Sequence, residues 1–179
     1  MAYPGRKIQR ITQCALFSAV ICLLSPWCVT VGTVPITLSL FAVVLTGSIL
    51  SPGMALVSVC VYILIGAVGV PVFSGFQGGP ATLINLTGGF IWSYIPVVVL
   101  ISICQQKGAV AKILLALIAL LVCYLIGTMQ YMLITGTKSL LSALGVCVAP
   151  FVIFDIIKFV VAVAVGDKIR TVLKKQNLL

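Results

Sequence analysis

The chain has 179 residues, of which 62% are hydrophobic and only 7% are charged. Soluble globular domains usually carry about 25% charged residues, so this chain has too little polar surface to enclose a soluble core. Composition therefore predicts an integral membrane protein. A membrane-spanning helix needs about 20 apolar residues, and about six such helices would use most of the chain. We expect one domain over residues 1–179.

The residue inventory excludes several kinds of chemistry. The chain has no histidine and no glutamate, and its two acids are Asp155 and Asp167. Histidine bases, paired catalytic carboxylates and His/Glu metal sites are therefore excluded. Residues 136–139 come near a P-loop sequence but have the wrong spacing. The seven cysteines form no Cys-x-x-Cys pair, and we interpret them as buried thiols. We predict no catalytic residue, metal or cofactor.

Apolar runs separated by turn residues predict six membrane spans. Pro26 ends the first span, and Pro35 suits the first turn of the second, where a missing N–H costs no helical hydrogen bond. Residues 51–53, Ser-Pro-Gly, predict a tight turn before the third span. In chain order, the predicted spans cover residues 8–25, 35–50, 54–70, 90–104, 110–135 and 146–165.

The connection between spans three and four, residues 71–89, has an unusual composition. Its five glycines and two prolines predict a non-helical segment. At membrane depth, non-helical backbone must be buried in protein or line a cavity, and glycine lets a ligand approach the backbone closely. Hydrogen-bonding groups are also present: Gln77, Thr82, Asn85 and Thr87. We expect this segment to face a ligand, the alternative being a surface loop.

Basic residues predict the orientation. Cytoplasmic loops of membrane proteins carry an excess of lysine and arginine. With both termini in the cytoplasm, nine of the eleven basic residues lie in inner segments, and Lys138 falls outside. The nine are Arg6, Lys7, Arg10, Lys107, Lys112, Lys168, Arg170, Lys174 and Lys175. The net charge of +9 thus indicates topology and contact with a lipid bilayer, with no sign of nucleic-acid binding.

Two charged residues, Asp155 and Lys158, lie within the sixth predicted span. Residues three apart share a helix face, so both side chains can point into one cavity. At about 1.5 Å per residue, Asp155 would lie about 10–15 Å below the outer end of the span. Charges inside a membrane are costly and tend to mark substrate pathways. We predict a binding site here, the alternative being an ion pair that only joins helices.

A stripe of small residues runs along the first span. Ala15 and Ala19 are four residues apart, so they form a smooth face against which another helix can pack closely. Packing within the bundle explains the pattern equally well.

Together, these residues resemble the BioY family, the biotin-binding S components of energy-coupling-factor (ECF) transporters. The resemblance covers nearly the whole chain. It includes Val34-Pro35-Ile36-Thr37, residues 69–75, Gly78-Gly79-Pro80, Thr87-Gly88-Gly89-Phe90, Pro150-Phe151 and the Asp155-x-x-Lys158 spacing. The chain departs from many relatives at Asn85-Leu86, where they have Gly-Pro.

The resemblance implies a six-helix subunit that takes biotin from the outer side of the cell membrane. In the family, the matching aspartate and lysine contribute to biotin binding, and the connection between spans three and four helps to cover the ligand. Ala15 and Ala19 match the stripe that contacts the transmembrane coupling protein. That partner would bring two ATPase subunits, so the chain itself is expected not to be an enzyme. Some relatives are thought to work without this module.

Biotin chemistry suits the predicted site. A carboxylate can accept hydrogen bonds from the two ureido N–H groups, and Lys158 could meet either the ureido carbonyl or the biotin carboxylate. An aromatic side chain among Phe73, Phe76, Trp92 and Tyr94 could pack on the bicycle. The predicted binding residues are Asp155, Lys158, Asn85, Phe73, Gln77, Gly78, Gly79, Thr87 and Tyr94.

Three alternatives stay open at this point. The same fold would serve a subunit that binds another small vitamin, such as thiamine or riboflavin. An intramembrane enzyme with a Ser, Thr or Cys nucleophile and Lys158 as base is a second alternative. A structural membrane protein whose Asp155–Lys158 pair only holds helices together is the third.

Overall fold

The structure, a computed structural model, describes residues 4–31, 34–105, 107, 109–149 and 151–176. Within these residues the chain forms eight helices and one pair of short strands. In chain order the elements are α1 (Pro4–Leu24), β1 (Cys28–Val31), β2 (Val34–Thr37), α2 (Ser39–Ile49), α3 (Pro52–Ala67), α4 (Pro80–Ile84), α5 (Gly88–Cys104), α6 (Ala109–Thr135), α7 (Leu140–Cys147) and α8 (Val152–Lys175).

The helices differ in their capacity to span a membrane. Among the described residues, Lys7–Leu24 in α1 and Ala111–Thr135 in α6 are long and apolar enough to cross alone. The bent pair α7 and α8 would make a third crossing. Three further helices, α2, α3 and α5, are apolar but shorter, at 11, 16 and 17 residues. A helix or a helix pair thus overlaps every predicted span.

The predicted start of the second span is wrong. Pro35 lies in β2, where it is paired with Thr30 of β1 in an antiparallel register. A proline fits a two-stranded sheet because every strand there has a free edge. The chain then turns at Leu38, whose N–H donates to the Trp27 carbonyl, and α2 begins only at Ser39.

The predicted sixth span is also wrong as a single helix. The chain bends by 53° between α7 and α8. The sequence has a proline at position 150, outside the described residues, and proline has no N–H with which to continue a helix. Asp155 consequently lies in the first turn of α8 rather than deep within a continuous helix.

The segment 71–89 is only partly non-helical, because it contains the short helix α4. Before α4 the chain makes a tight turn in which the Phe73 N–H donates to the Gln77 carbonyl at 2.9 Å. Gly75 and Phe76 both have positive φ in this turn, at 69° and 58°. This geometry buries the Phe73 ring completely and leaves Phe76 exposed.

The core lies where α2, α3 and α5 meet, and α6 and α8 pack on its outside. Its fully buried side chains include Val43, Val59 and Val97, one from each central helix. α6 packs chiefly on α5, and α8 packs chiefly on α2. The first helix, α1, is attached through a polar contact with α3, in which the Ser18 hydroxyl donates to the Ser58 carbonyl at 3.0 Å.

Candidate functional site

The candidate site is built around Asp155 and Lys158, in the first two turns of α8. Lys158 Nζ lies 3.0 Å from Asp155 Oδ1, so the predicted pair forms. The same ammonium group donates to the Thr37 carbonyl of β2 at 2.8 Å. The contact with Thr37 ties α8 to the strand pair, and it fixes the lysine head where β2 ends.

A tyrosine completes the polar group. The Tyr124 hydroxyl of α6 donates to Asp155 Oδ2 at 2.9 Å. An ionised carboxylate can accept about four hydrogen bonds. Lys158 donates one to Oδ1, and Tyr124 donates one to Oδ2. Asp155 is buried, yet both of its oxygens keep acceptor capacity for a ligand. The positive end of the α8 dipole, in whose first turn Asp155 lies, further stabilises its charge.

Aromatic rings form a wall of the site. Tyr62 of α3 meets the Phe73 ring edge-on, with centroids 5.6 Å apart, and lies 6.5 Å from the Tyr94 ring of α5. All three are buried. Phe73 reaches this wall because the tight turn at residues 73–77 points its side chain inward. An apolar body such as a fused ring system can pack against such rings.

These groups line one cavity. The cavity has a volume of about 60 Å³, below the roughly 300–1,000 Å³ of typical small-molecule sites, so its lining must move apart to admit a ligand. Its polar lining includes Thr37, Ser39, Ser74, Thr82 and Thr87. Ser74 Oγ is buried there with no hydrogen-bond partner among the described residues. A buried hydroxyl without a partner costs stability, so a ligand that bonded to it would remove that cost.

The structure brings five of the nine predicted binding residues to the cavity: Asp155, Lys158, Phe73, Thr87 and Tyr94. The other four, Asn85, Gln77, Gly78 and Gly79, lie outside its lining. Asn85 and Gln77 are exposed, and the Asn85 side chain accepts from the Leu86 N–H. The Gly79 N–H donates to the Gly66 carbonyl at 2.7 Å. These four have a visible role in shaping the turn and α4, and their role in binding stays a prediction.

Two further aromatic candidates also lie outside the lining. Phe76 is exposed and packs edge-on against Trp27, with centroids 5.8 Å apart. Trp92 donates through its indole nitrogen to the Leu83 carbonyl at the end of α4. Of the four rings considered for packing on a ligand, the structure therefore places Phe73 and Tyr94 at the cavity.

Sequence reasoning missed Tyr124, Tyr62 and the Thr37 carbonyl. Tyr124 carried a weak signal, because a tyrosine in the middle of an apolar helix needs a partner for its hydroxyl. The Thr37 carbonyl carried none, since any backbone oxygen could have been the acceptor. The predicted contact residues Ala15 and Ala19 are both exposed on α1, away from the serine contact with α3.

Apolar helices around a cavity with a buried aspartate, a half-buried lysine and an aromatic wall define a class of protein. The chain is a multi-pass helical membrane protein with an internal site suited to a small, partly polar molecule.

Comparison with known proteins identifies the family. A family model described as the BioY family matches residues 2–175, and the chain belongs to that family. It is 35% identical to the "Probable biotin transporter BioY" of Pyrococcus horikoshii, over 92% of this chain and 98% of that one. It is 32% identical to the "Biotin transporter BioY2" of Lactococcus lactis, over 96% of this chain and 95% of that one.

A solved structure has the same fold. The S-component for biotin from an ECF-type ABC transporter, known from a crystal structure, superposes with a TM-score of 0.85 over 96% of this chain and 95% of that one. The two sequences are 21% identical, so the likeness establishes the architecture of the chain rather than its ligand.

Proposed function

We propose that this chain binds biotin and mediates its uptake across the cytoplasmic membrane as the S component of an ECF-type transporter. The observation that carries the proposal is the Asp155 carboxylate, buried at the cavity with acceptor capacity left on both oxygens. Curated relatives named as biotin transporters, alike over nearly their full length, support the same ligand.

The site offers complementary groups for each part of biotin. Asp155 accepts from the ureido N–H groups, and the charge on the carboxylate strengthens those bonds. The Phe73 and Tyr94 rings pack against the apolar bicycle. Lys158 donates either to the ureido carbonyl or to the biotin carboxylate, and both are acceptors that its remaining N–H can serve. Thr87 contributes a further hydroxyl at the cavity wall.

Residues 73–85, which contain the tight turn and helix α4, act as the cover of the site. Gln77, Gly78, Gly79 and Asn85 belong to this cover and meet the ligand when it is bound. The cover is fastened to α6, because Gln130 Nε2 donates to the Leu83 carbonyl at 3.0 Å and to the Asn85 carbonyl at 2.8 Å.

The chain crosses the membrane six times, with both termini in the cytoplasm. The six crossings are α1, α2, α3, α5, α6 and the bent pair α7–α8. The short helix α2 is extended by β2, and the two together reach further across the bilayer than 11 helical residues do. The distribution of lysine and arginine supports this orientation, which places the mouth of the cavity on the outer side.

The exposed stripe of Ala15 and Ala19 on α1 contacts the transmembrane coupling protein of an ECF module. That protein carries two ATPase subunits, which hydrolyse ATP in place of this chain. The stripe supports the proposal because it is exposed and small, so a partner helix can approach closely there.

Uptake by cells tests the function. The chain is produced in cells that lack biotin uptake, with and without an ECF coupling protein and its ATPases, and the entry of labelled biotin, thiamine and riboflavin is measured. Biotin-selective uptake supports the proposal, and its dependence on the module shows whether the chain works alone. Uptake of thiamine or riboflavin in place of biotin contradicts the proposed ligand.

A further inference from the structure

Both acidic residues of the chain connect helix α8 to helix α6. Asp155 and Asp167 lie on α8, and each bonds to a residue of α6. Asp155 accepts from the Tyr124 hydroxyl at the cavity. Asp167 Oδ2 lies 2.7 Å from Lys112 Nζ at the other end of the helix pair.

The two contacts lie in one antiparallel register. Twelve residues separate Lys112 from Tyr124 on α6, and twelve separate Asp155 from Asp167 on α8. At about 1.5 Å per residue, the contacts are about 18 Å apart along both helices. Because the spacings are equal, a shift of one helix along the other would break both contacts together.

Apolar packing between α6 and α8 does not fix this register strongly. α6 packs chiefly on α5, and α8 packs chiefly on α2. Between the two polar contacts lies an apolar groove, whose lining includes Ala116 and Leu120 of α6 and Phe159 and Val163 of α8. The helices are therefore joined directly by a polar contact at each end of a groove.

We propose that Lys112 and Asp167 are positioning residues for the ligand site. Their ion pair holds α6 in the register that keeps the Tyr124 hydroxyl on Asp155, and so it orients the carboxylate that receives the ligand. The pair lies too far from the cavity to touch the ligand itself. The inference rests on the proposed biotin site, but the register it describes exists without ligand.

The expected effect is modest, because both side chains are partly exposed, at 25% and 42%. Partly exposed ion pairs contribute little free energy, and we expect Lys112→Gln or Asp167→Asn to weaken biotin binding about two- to fivefold. Lys112→Arg keeps the pair and should bind as the unmodified chain does. The reversed pair, Lys112→Asp with Asp167→Lys, should recover most of the loss.

Lys168→Gln is the matched control, since Lys168 is an exposed neighbour with no side-chain bond among the described residues.

A double-mutant cycle separates positioning from a general loss of stability. Dissociation constants for biotin are measured by calorimetry on Tyr124→Phe, Lys112→Gln and the double variant. Without the Tyr124 hydroxyl, the register of α6 no longer affects the orientation of Asp155. Lys112→Gln should then cause no further loss of biotin affinity. If the two losses multiply, or if Lys112→Gln lowers only the melting temperature, the positioning role is overturned.

A measurement without ligand keeps the inference distinct from the proposed function. Ala116→Cys and Val163→Cys, on opposite walls of the groove, are joined by a short bifunctional reagent, and the linked peptides are quantified by mass spectrometry. Lys112→Gln should reduce the yield and Lys168→Gln should not. An unchanged yield overturns the inference even where biotin binds. Failure of the unmodified chain to bind biotin, with the yield still dependent on Lys112, would contradict only the proposed ligand.

Discussion

Asp155 is the residue on which the site depends most. It is buried, it lies at the positive end of a helix, and it accepts from a lysine and a tyrosine that come from different directions. Lys158 balances the charge of the carboxylate, and both partners orient it without using all of its acceptor capacity. Removing either partner would leave part of a buried charge uncompensated, which is costly.

The substitution Asp155→Asn tests this residue. The amide carries no charge, so it forms weaker bonds to the ureido N–H groups. We expect biotin binding to become less favourable by at least about 1.5 kcal/mol, which corresponds to a rise in Kd of about tenfold. Calorimetry on the purified variant measures the change, and its thermal transition shows that it is folded. An unchanged Kd in a folded variant would remove Asp155 from the site.

At this scale, the sequence predicts contacts within a helix better than contacts between helices. The Asp155–Lys158 pair follows from their three-residue spacing, and the structure contains it. Tyr124 is 31 residues away from Asp155 on another helix, so only the packing of α6 beside α8 reveals the contact. Asn85 and Gln77 were predicted from their hydrogen-bonding capacity, but the backbone of the turn and α4 leaves both side chains outside the lining.

Among the elements, the tight turn at residues 73–77 does most to form the cavity. It places the Phe73 ring against Tyr62, directly over Gly66 of α3. A side chain at position 66 would overlap the Phe73 ring, so glycine is required there for the wall to close. The Gly66 carbonyl also accepts from the Gly79 N–H, and the same position of α3 thus holds the start of α4.

Gly66→Ala should therefore damage both the fold and the site. Overpacking of this kind typically costs about 1–3 kcal/mol of stability, and relief of the overlap would push Phe73 out of the aromatic wall. We expect a lower melting temperature and weaker biotin binding.

Gly53→Ala is the matched control, because Gly53 lies on the same helix with open space around it. Alanine there should leave binding unchanged and favour the helix slightly. Equal behaviour of the two variants would mean that Phe73 does not depend on Gly66.

The boundaries of the elements show where sequence reasoning fails. Hydrophobic runs locate α3, α5 and α6 to within a few residues, because long apolar segments with turn residues between them have few other solutions. Pro35 suits both a helix start and an edge strand, and its pairing with Thr30 across the chain decides between them. The helix α4 was missed because five residues are too few to give a periodic pattern, and its ends are held by α3 and α6.

The whole molecule is asymmetric in how its helices are held. α2, α3 and α5 form a tight core, while α1 is largely exposed and joined to α3 by serine contacts. A helix with so much exposed apolar surface, including Ala15 and Ala19, is suited to contact either lipid or another membrane protein. This face lies on a different helix from the binding cavity, so binding and docking can occur together.

The proposed topology predicts which residues are reached from each side of the membrane. A membrane-impermeant maleimide should label Lys138→Cys from the outside only, because the proposed topology puts the connection between α6 and α7 on the outer side. Lys107→Cys and Lys175→Cys should be labelled only in inverted vesicles. All three positions are exposed, and the unmodified chain gives the background from its own cysteines. Labelling of Lys138→Cys and Lys175→Cys from the same side would contradict six crossings with both termini inside.

The most direct test of the whole account is a biotin titration of the detergent-purified chain, with thiamine and riboflavin as control ligands and Asp155→Asn alongside. We predict saturable binding that is selective for biotin and strongly weakened in the variant. A folded chain that binds no biotin, or that binds it equally well without the Asp155 carboxylate, would contradict the central claim that this cavity is a biotin site.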